Sequence, residues 1–175
     1  YSDAFRINLN RTLRFLSFRP RSEKEIRDYL KKKSSFAKAS EGQEGSELQS
    51  VINSVINKLK EQKFINDEEF AKWWIESRMR FKPRSSRLVK LELKQKGIDN
   101  ETIDGLQLTV NNDLEQAKKL VEKRITRFRN PSTPLRAGKF GMTREEMYQK
   151  LGSYLARRGF DWDTIKQSID ELVFK

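Results

Sequence analysis

The chain has 175 residues, of which 35% are hydrophobic and 35% charged, a balance that suits several thin helical layers better than one thick core. It contains neither cysteine nor histidine, which excludes disulfides, thiolate metal sites and the commonest general base near neutral pH. The net charge of +12 favours a polyanionic partner: a nucleic acid, an acidic membrane or an acidic protein. No apolar run approaches the ~20 residues that span a bilayer and no signal peptide opens the chain, so we expect a cytoplasmic protein.

Apolar residues at helical spacing predict helices throughout the chain and no strand. The first predicted helix runs from about Ala4 to Phe18 and ends before Pro20. Ser22, followed three residues later by Glu25, predicts a capping box at the start of the second helix.

Residues 34–47 have no periodicity and are rich in serine, glycine and glutamate, so we expect a flexible insertion there, with a recognition segment around Phe36 as the alternative. The next helix has the most regular pattern of the chain. Its predicted buried residues are Leu48, Val51, Ile52, Val55, Ile56 and Leu59. Asn66 or Asp67 is expected to cap the helix that follows.

Positive charge is concentrated between Arg78 and Lys96, where eight cationic side chains are opposed only by Glu92. A helix end, the turn at Pro83 and a second basic helix ending at Gly97 make up this stretch. The eight cations are Arg78, Arg80, Lys82, Arg84, Arg87, Lys90, Lys94 and Lys96.

Four further helices are predicted after this basic stretch. Asp99 caps a short one, and the next begins near Leu114. A loop rich in proline and glycine over residues 130–142 separates it from a helix that begins with a capping box formed by Thr143 and Glu146.

Asp161 is expected to cap the last helix, with Trp162 facing inward. The acidic clusters near Asp67, Asp99 and Asp161 all stand where helices begin, so we interpret them as caps rather than metal ligands. Gly97 is expected to supply a positive φ past a helix end, as is Gly159.

The sequence repeats itself. Pro20-Arg21-Ser22 matches Pro83-Arg84-Ser85 at an offset of 63 residues, and the pattern from Val89 to Ile103 matches Leu151 to Ile165 at an offset of 62. Helix residues from Ala71 to Arg78 match Ala117 to Arg124. The predicted fold is therefore all-α, with three tandem three-helix repeats in an elongated, possibly curved array. Their predicted bounds are 1–65, 66–110 and 111–175.

Four segments resemble, in order, the motifs of the RecX family of bacterial regulators of the RecA recombinase: LSFRPRSEKEI, FINDEEFAKWWIESR, LELKQKGID and ARRGFDWDTI. The resemblance covers essentially the whole chain. Three departures from the family pattern are Ser34 in place of a glycine, Lys63 in place of a glycine, and the long first insertion.

The resemblance implies a non-enzymatic monomer that takes part in bacterial DNA repair, homologous recombination and the SOS response. It implies binding in the helical groove of the RecA filament on single-stranded DNA, with direct or RecA-mediated contact to that DNA. Inhibition of ATP hydrolysis and strand exchange, and filament disassembly, follow from the same resemblance. It implies no cofactor, no metal and no membrane partner.

A basic helix face is the candidate contact surface. On an ideal helix Arg87, Lys90 and Lys94 fall within an arc of about 60°, with Arg84 beside them. Such a face is often merely solvated, but acidic residues are nearly absent from this one and the bias recurs along the chain. The full set of candidate contact residues is Arg19, Arg21, Arg78, Arg80, Lys82, Arg84, Arg87, Lys90, Lys94, Arg124, Arg127, Arg157 and Arg158.

Two further functions differ from filament regulation. The three-helix units with a basic second helix also resemble helix-turn-helix modules, which favours a DNA-binding protein that acts without RecA. An enzyme is a distant third, because the sequence offers no nucleophile–base pair and no carboxylate–metal motif.

Overall fold

A computed structural model describes residues 2–35, 44–106, 110–128 and 143–173, and within these ranges the chain is entirely helical with no strand. The prediction of an all-α fold is confirmed. The described residues form nine helices: α1 Asp3–Leu16, α2 Glu23–Ser35, α3 Glu44–Glu61, α4 Asp67–Phe81, α5 Ser86–Gln95, α6 Asn100–Gly105, α7 Val110–Phe128, α8 Arg144–Ala156 and α9 Trp162–Val173. None of them is long and apolar enough to cross a membrane.

Helix α3 begins at Glu44, so the predicted insertion over 34–47 is wrong at both of its ends. Its first two residues continue α2 and its last four belong to α3. The middle of that segment, residues 36–43, lies outside the described residues, as does the predicted loop at 130–142.

The chain divides into two compact units, and each has its own apolar core. Unit 1 comprises Tyr1–Trp74 and Leu93–Gly105, and its core forms where α1, α2 and α3 pack together. Unit 2 comprises Ile75–Glu92 and Leu106–Lys175, and its core forms among α7, α8 and α9. The fully buried core side chains include Ile26, Leu30, Ile52, Ile56, Leu59, Leu151, Leu155 and Ile169.

In unit 1 the start of α2 packs against the end of α5. The Ser22 hydroxyl accepts a hydrogen bond from the Glu25 amide at 3.2 Å and donates one to the Lys96 carbonyl at 2.7 Å. Gly97 follows with φ +85°, and a Cβ there would lie 2.7 Å from the Cβ of Lys24. Ser22 therefore caps α2 as expected, but the Glu25 carboxylate binds other partners and does not complete a capping box.

Unit 2 repeats this arrangement 63 and 62 residues further along the chain. The Ser85 hydroxyl accepts from the Leu88 amide at 3.3 Å, and the Ser85 amide donates to the Arg158 carbonyl at 3.0 Å. Gly159 has φ +84°, and a Cβ there would lie 2.7 Å from the Ser85 hydroxyl oxygen. Both glycines are thus required by a positive φ and by the close approach of another helix.

An aspartate from a third helix completes each arrangement. Asp67, at the start of α4, accepts a hydrogen bond from the Glu23 amide of α2 at 2.8 Å. Asp113, in α7, accepts from the amide and the hydroxyl of Ser86 in α5, each at 2.7 Å. We call these two arrangements the first joint (Ser22, Glu23, Asp67, Lys96, Gly97) and the second joint (Ser85, Ser86, Asp113, Arg158, Gly159).

The remaining predicted caps are confirmed. Asn66 caps α4, with its side-chain oxygen accepting from the amides of Glu68 and Glu69 at 3.0 and 3.2 Å. Thr143 and Glu146 form the capping box expected at α8.

Asp99 and Asp161 cap α6 and α9 in the same way. Each accepts from the amide and hydroxyl of the threonine three residues later, Thr102 and Thr164, at 2.7 to 2.9 Å. These bonds hold the pKa of Asp99 and that of Asp161 below the ordinary value.

Trp162 is 61% exposed, so its predicted inward orientation is wrong. It is the first residue of α9, directly after the Asp161 cap, and so lies at the outer end of the apolar stripe. Ile165 and Ile169, further along the same stripe, are buried as expected.

Replacing Gly159 with alanine should lower the free energy of unfolding by roughly 1–3 kcal/mol, because alanine adds both left-handed backbone strain and a clash with Ser85. Thermal and urea unfolding followed by circular dichroism would measure the change. Gly105→Ala is the matched control, because a Cβ at Gly105 meets nothing within 4 Å. Equal stability of the two variants would contradict this account of the second joint.

Candidate functional site: a basic surface

Two arginines of the basic stretch are held by one buried carboxylate. Glu92 is 8% exposed, and one of its oxygens accepts a hydrogen bond from Arg78 Nε at 2.6 Å. Its other oxygen accepts from Arg84 Nη1. We call Arg78, Arg84 and Glu92 the ionic cluster. It fixes the turn between α4 and α5 by joining residues on either side of it.

The positions 63 residues earlier also come together, but with different chemistry. Phe15 and Tyr29 stack with ring centroids 4.2 Å apart and planes within 7° of parallel. The Arg21 guanidinium lies 3.9 Å from the centroid of the Phe15 ring. Burial lowers the pKa of Arg21, and its Nε is buried without a hydrogen-bond partner among the described residues. We call Phe15, Arg21 and Tyr29 the aromatic cluster.

A third version of this cluster lies in unit 2. Arg124 corresponds to Arg78 and Tyr154 to Glu92 in the sequence repeat, and the Arg124 guanidinium lies 5.1 Å from the Tyr154 ring centroid. Arg158 lies 3.9 Å from the same ring and donates to the Tyr154 carbonyl at 3.3 Å. Cation–π contacts therefore replace the ion pairs.

Arg19 also binds within the fold. It forms a two-bond ion pair with Glu25, at 2.9 and 3.1 Å, and lies 5.6 Å from the Trp73 ring centroid. Lys96 donates to Glu25 at 2.5 Å and lies 5.2 Å from the Trp74 ring. Burial raises the pKa of Glu25, but the hydrogen bonds from Arg19 and Lys96 outweigh it and hold the pKa below its ordinary value.

The other candidate cations are more accessible. Lys90 and Arg158 are half-buried, whereas five others are exposed: Arg80, Lys82, Arg87, Lys94 and Arg157. The Arg80 guanidinium lies 5.3 Å from the ring of Phe81, which is itself 71% exposed. The side chain of Arg127 lies outside the described part of the structure.

The helix face predicted on α5 is present in part. Val89 and Leu93 are buried as expected, so Arg87 and Lys94 face solvent on the same helix. Among the described residues, no carboxylate pairs with Lys82, Arg87 or Lys94. Arg84 precedes the helix and pairs with Glu92, so it is not equivalent to them. We call Arg80, Lys82, Arg87 and Lys94 the exposed basic set.

Nothing in the described residues forms a metal site, since no three acidic side chains there come together as ligands. The acidic residues of the sequence pattern instead bind amides and guanidiniums. Two features were missed by sequence reasoning: the exposed Phe81, and the role of Glu92 as a bridge between Arg78 and Arg84. The 63-residue offset could have paired Glu92 with Tyr29, but it gives no sign of which side chains touch.

Comparison with known proteins defines the class first. Family models described as the first, second and third three-helix domains of RecX match residues 9–34, 66–105 and 136–169, in that order and over more than half of the chain. The protein is thus a tandem three-helix protein.

Curated relatives carry the same family name. The regulatory protein RecX of Bacillus subtilis (strain 168) is 30% identical over 177 aligned residues, which cover 100% of this chain and 58% of the relative. That of Bacillus pumilus (strain SAFR-032) is 31% identical over 98% of this chain and 57% of the relative. The chain spans less than three fifths of the length of these relatives.

Solved structures show the same fold. The crystal structure of RecX from Lactobacillus salivarius superposes with a TM-score of 0.69 at 24% identity and covers 100% of both chains. A second crystal structure of regulatory protein RecX gives a TM-score of 0.65 at 24% identity, covering 96% of this chain and 72% of the other. The chain belongs to the RecX family, a family of regulatory proteins.

Replacing Glu92 with glutamine should destabilise the protein by roughly 1–3 kcal/mol, because it leaves Arg78 and Arg84 without their shared, largely buried counter-ion. Urea unfolding would measure the loss. Glu76→Gln, an exposed position on α4, removes the same charge and should change stability by less than about 0.5 kcal/mol. A Glu92 variant as stable as the Glu76 variant would show that the ionic cluster contributes little.

Glu25 should make stability dependent on acid. Its pKa is lower in the folded state than the ordinary value, so the unfolded state binds more protons as pH falls. The stabilisation is fully present above the ordinary glutamate pKa of about 4.3 and is lost as pH falls through the folded pKa. The stability gap between the parent protein and Glu25→Gln, measured by thermal unfolding, should therefore shrink from pH 7 to pH 3. A gap that stays constant would contradict the prediction.

Proposed function

We propose that this protein binds the filament that RecA forms on single-stranded DNA, inhibits its ATP hydrolysis and strand exchange, and favours its disassembly. The proposal rests on membership of the RecX family, whose members named above are called regulatory proteins. The structural observation that favours it is the exposed basic set, whose cations have few acidic neighbours. In this proposal the protein is a monomer without catalytic activity of its own.

The physical basis is electrostatic. A net charge of +12 attracts the protein to any polyanion and raises the rate of encounter. The ionic cluster neutralises two arginines with one buried carboxylate and fixes the turn between α4 and α5, so Arg80 and Lys82 are presented on a defined backbone. Contacts from a fixed backbone lose less conformational entropy on binding than contacts from a mobile one.

The candidate residues divide into two groups on this basis. Arg19, Arg78 and Arg84 bind carboxylates of the protein itself, so they act on partner binding mainly by holding the fold. Arg80, Lys82, Arg87, Lys94 and Arg157 are exposed, and we propose these as the direct contacts. Arginine also pairs in a bidentate way with phosphates and carboxylates, so either DNA or an acidic filament surface is a suitable partner.

A DNA-binding module that acts without RecA is the alternative. The same exposed cations favour it, because they suit phosphate regardless of what else is present. It predicts tight binding to bare DNA that falls steeply as salt rises. Strong filament binding together with much weaker binding to bare DNA would reject this alternative.

The double variant Lys82→Glu, Arg87→Glu should weaken inhibition of RecA ATPase on single-stranded DNA by at least about ten-fold in the protein concentration required, since each position changes from attraction to repulsion. ATP hydrolysis would be measured as a function of added protein. A double variant at exposed cations elsewhere, Lys119→Glu with Lys123→Glu on α7, changes the net charge by the same amount and serves as the control.

Three outcomes would count against parts of the proposal. If the parent protein fails to inhibit at stoichiometric or excess concentration, the filament function is wrong. If both double variants lose inhibition equally, net charge rather than the exposed basic set controls binding. If neither loses inhibition, the proposed surface is wrong.

A further inference from the structure

A cavity of about 380 Å³ in unit 1 is unlike the basic surface of α4 and α5, because aromatic rings and cations line it together. It lies between α1 and α2. Its lining residues are Arg11, Arg14, Phe15, Phe18, Tyr29 and Lys33. The volume is within the range of small-molecule sites, roughly 300–1,000 Å³.

Two members of the aromatic cluster line the cavity. Phe15 and Tyr29 are stacked on each other at 4.2 Å, and Arg21 lies against the Phe15 ring, so these side chains are held in place. The corresponding positions Arg78 and Glu92 pair as ions, and they offer no aromatic surface. The aromatic lining is therefore a property of this copy of the cluster and does not follow from the fold alone.

Phe18 supplies an accessible ring. It is 76% exposed, the most exposed of the large hydrophobic side chains in the described residues. Exposure of a whole phenylalanine ring is unfavourable in water unless a partner covers it for part of the time. Its position beyond the end of α1, next to the cavity, gives an incoming planar group a face on which to stack.

Three cations surround these rings, and no acidic side chain accompanies them. Arg11, Arg14 and Lys33 are all exposed. Among the described residues no carboxylate lines the cavity, and none pairs with these three side chains. The site therefore favours an anionic group close to an aromatic one.

We propose that this cavity binds one unpaired nucleotide of a single strand, with its base against Phe18 and its phosphates at Arg11, Arg14 and Lys33. A nucleotide combines the two features that the lining demands, a planar aromatic base and a negative phosphate. Stacking on an aromatic side chain is tolerant of base identity, so the contact would be independent of sequence. The site goes beyond the proposed function, since its binding requires no RecA.

An acidic peptide fits the lining less well. It would pair with the three cations, but its aliphatic or carboxylate side chains gain little from an exposed phenylalanine ring. A strand also presents phosphates at regular spacing, which suits cations that come from two different helices.

The test uses fluorescence anisotropy of a labelled oligothymidylate and of an abasic strand of the same length, with the full chain and no RecA. Phe18→Ala should weaken oligothymidylate binding by about ten-fold and leave abasic-strand binding unchanged, because only the base stacks. Phe64→Ala is the matched control: Phe64 is 55% exposed in the same unit but does not line this cavity. It should bind both strands as the parent protein does.

A second pair of variants tests the phosphate contacts. Lys33→Glu should weaken binding of both strands more than Lys32→Glu, its exposed neighbour on α2 that does not line the cavity. Circular dichroism would verify that every variant is folded. The proposal is overturned if Phe18→Ala binds oligothymidylate normally, if Phe64→Ala weakens it equally, or if Lys32→Glu and Lys33→Glu are equivalent.

A competition arm separates a strand from a free nucleotide. Thymidine monophosphate, which has the same chemistry, should displace the strand only weakly because it lacks the flanking phosphates. Displacement by the mononucleotide at the same concentration as by the oligonucleotide would overturn the assignment to a strand.

Discussion

The start of a helix that is packed against other helices has a constraint that the structure must meet: its first amides have no partner within the helix. In α2 and α5 a serine cap meets part of this need, and an aspartate from another helix meets the rest. Asp67 binds the first amide of α2, and Asp113 binds that of α5. Because Ser22 and Ser85 are almost fully buried, water cannot substitute for these partners. The loss of either aspartate would leave a buried donor unsatisfied, so each joint depends on it.

The same two joints explain why glycine follows α5 and α8. A side chain at Gly97 would overlap Lys24, and one at Gly159 would overlap Ser85. The left-handed backbone allows the chain to turn directly after the helix, which brings the preceding carbonyl close to the serine cap. The helices that bear the exposed basic set are thereby positioned from both ends, and this fixed arrangement is what makes a surface of cations specific.

The helices themselves could be predicted from the sequence, because helical periodicity and caps act over only three to four residues. The long-range partners could not. Glu25 forms part of a plausible capping box, yet its carboxylate binds Arg19 and Lys96, which lies 71 residues away. Asp67 was a plausible cap for α4, but it binds α2, 44 residues earlier. An acidic residue near a helix start satisfies the local rule in both cases, and only packing decides which donor it reaches.

The candidate site shows the same division. The basic bias and the buried face of α5 were visible in the sequence, whereas the split between structural and exposed arginines was not. Arg84 and Arg87 look alike in a list of charges, but one pairs with a buried glutamate and the other faces solvent. Trp162 likewise belongs to an apolar stripe by spacing and is exposed because the stripe extends beyond the core.

The exchange of an ionic cluster for an aromatic one has a consequence for the two units as separate cooperative structures. Ion pairs weaken as dissolved salt screens them, although burial limits the effect, whereas stacked rings strengthen slightly in salts that favour apolar burial. The aromatic cluster holds unit 1 and the ionic cluster holds part of unit 2. Raising the ionic strength therefore shifts stability between the units, so the order in which they melt depends on the salt concentration around the protein.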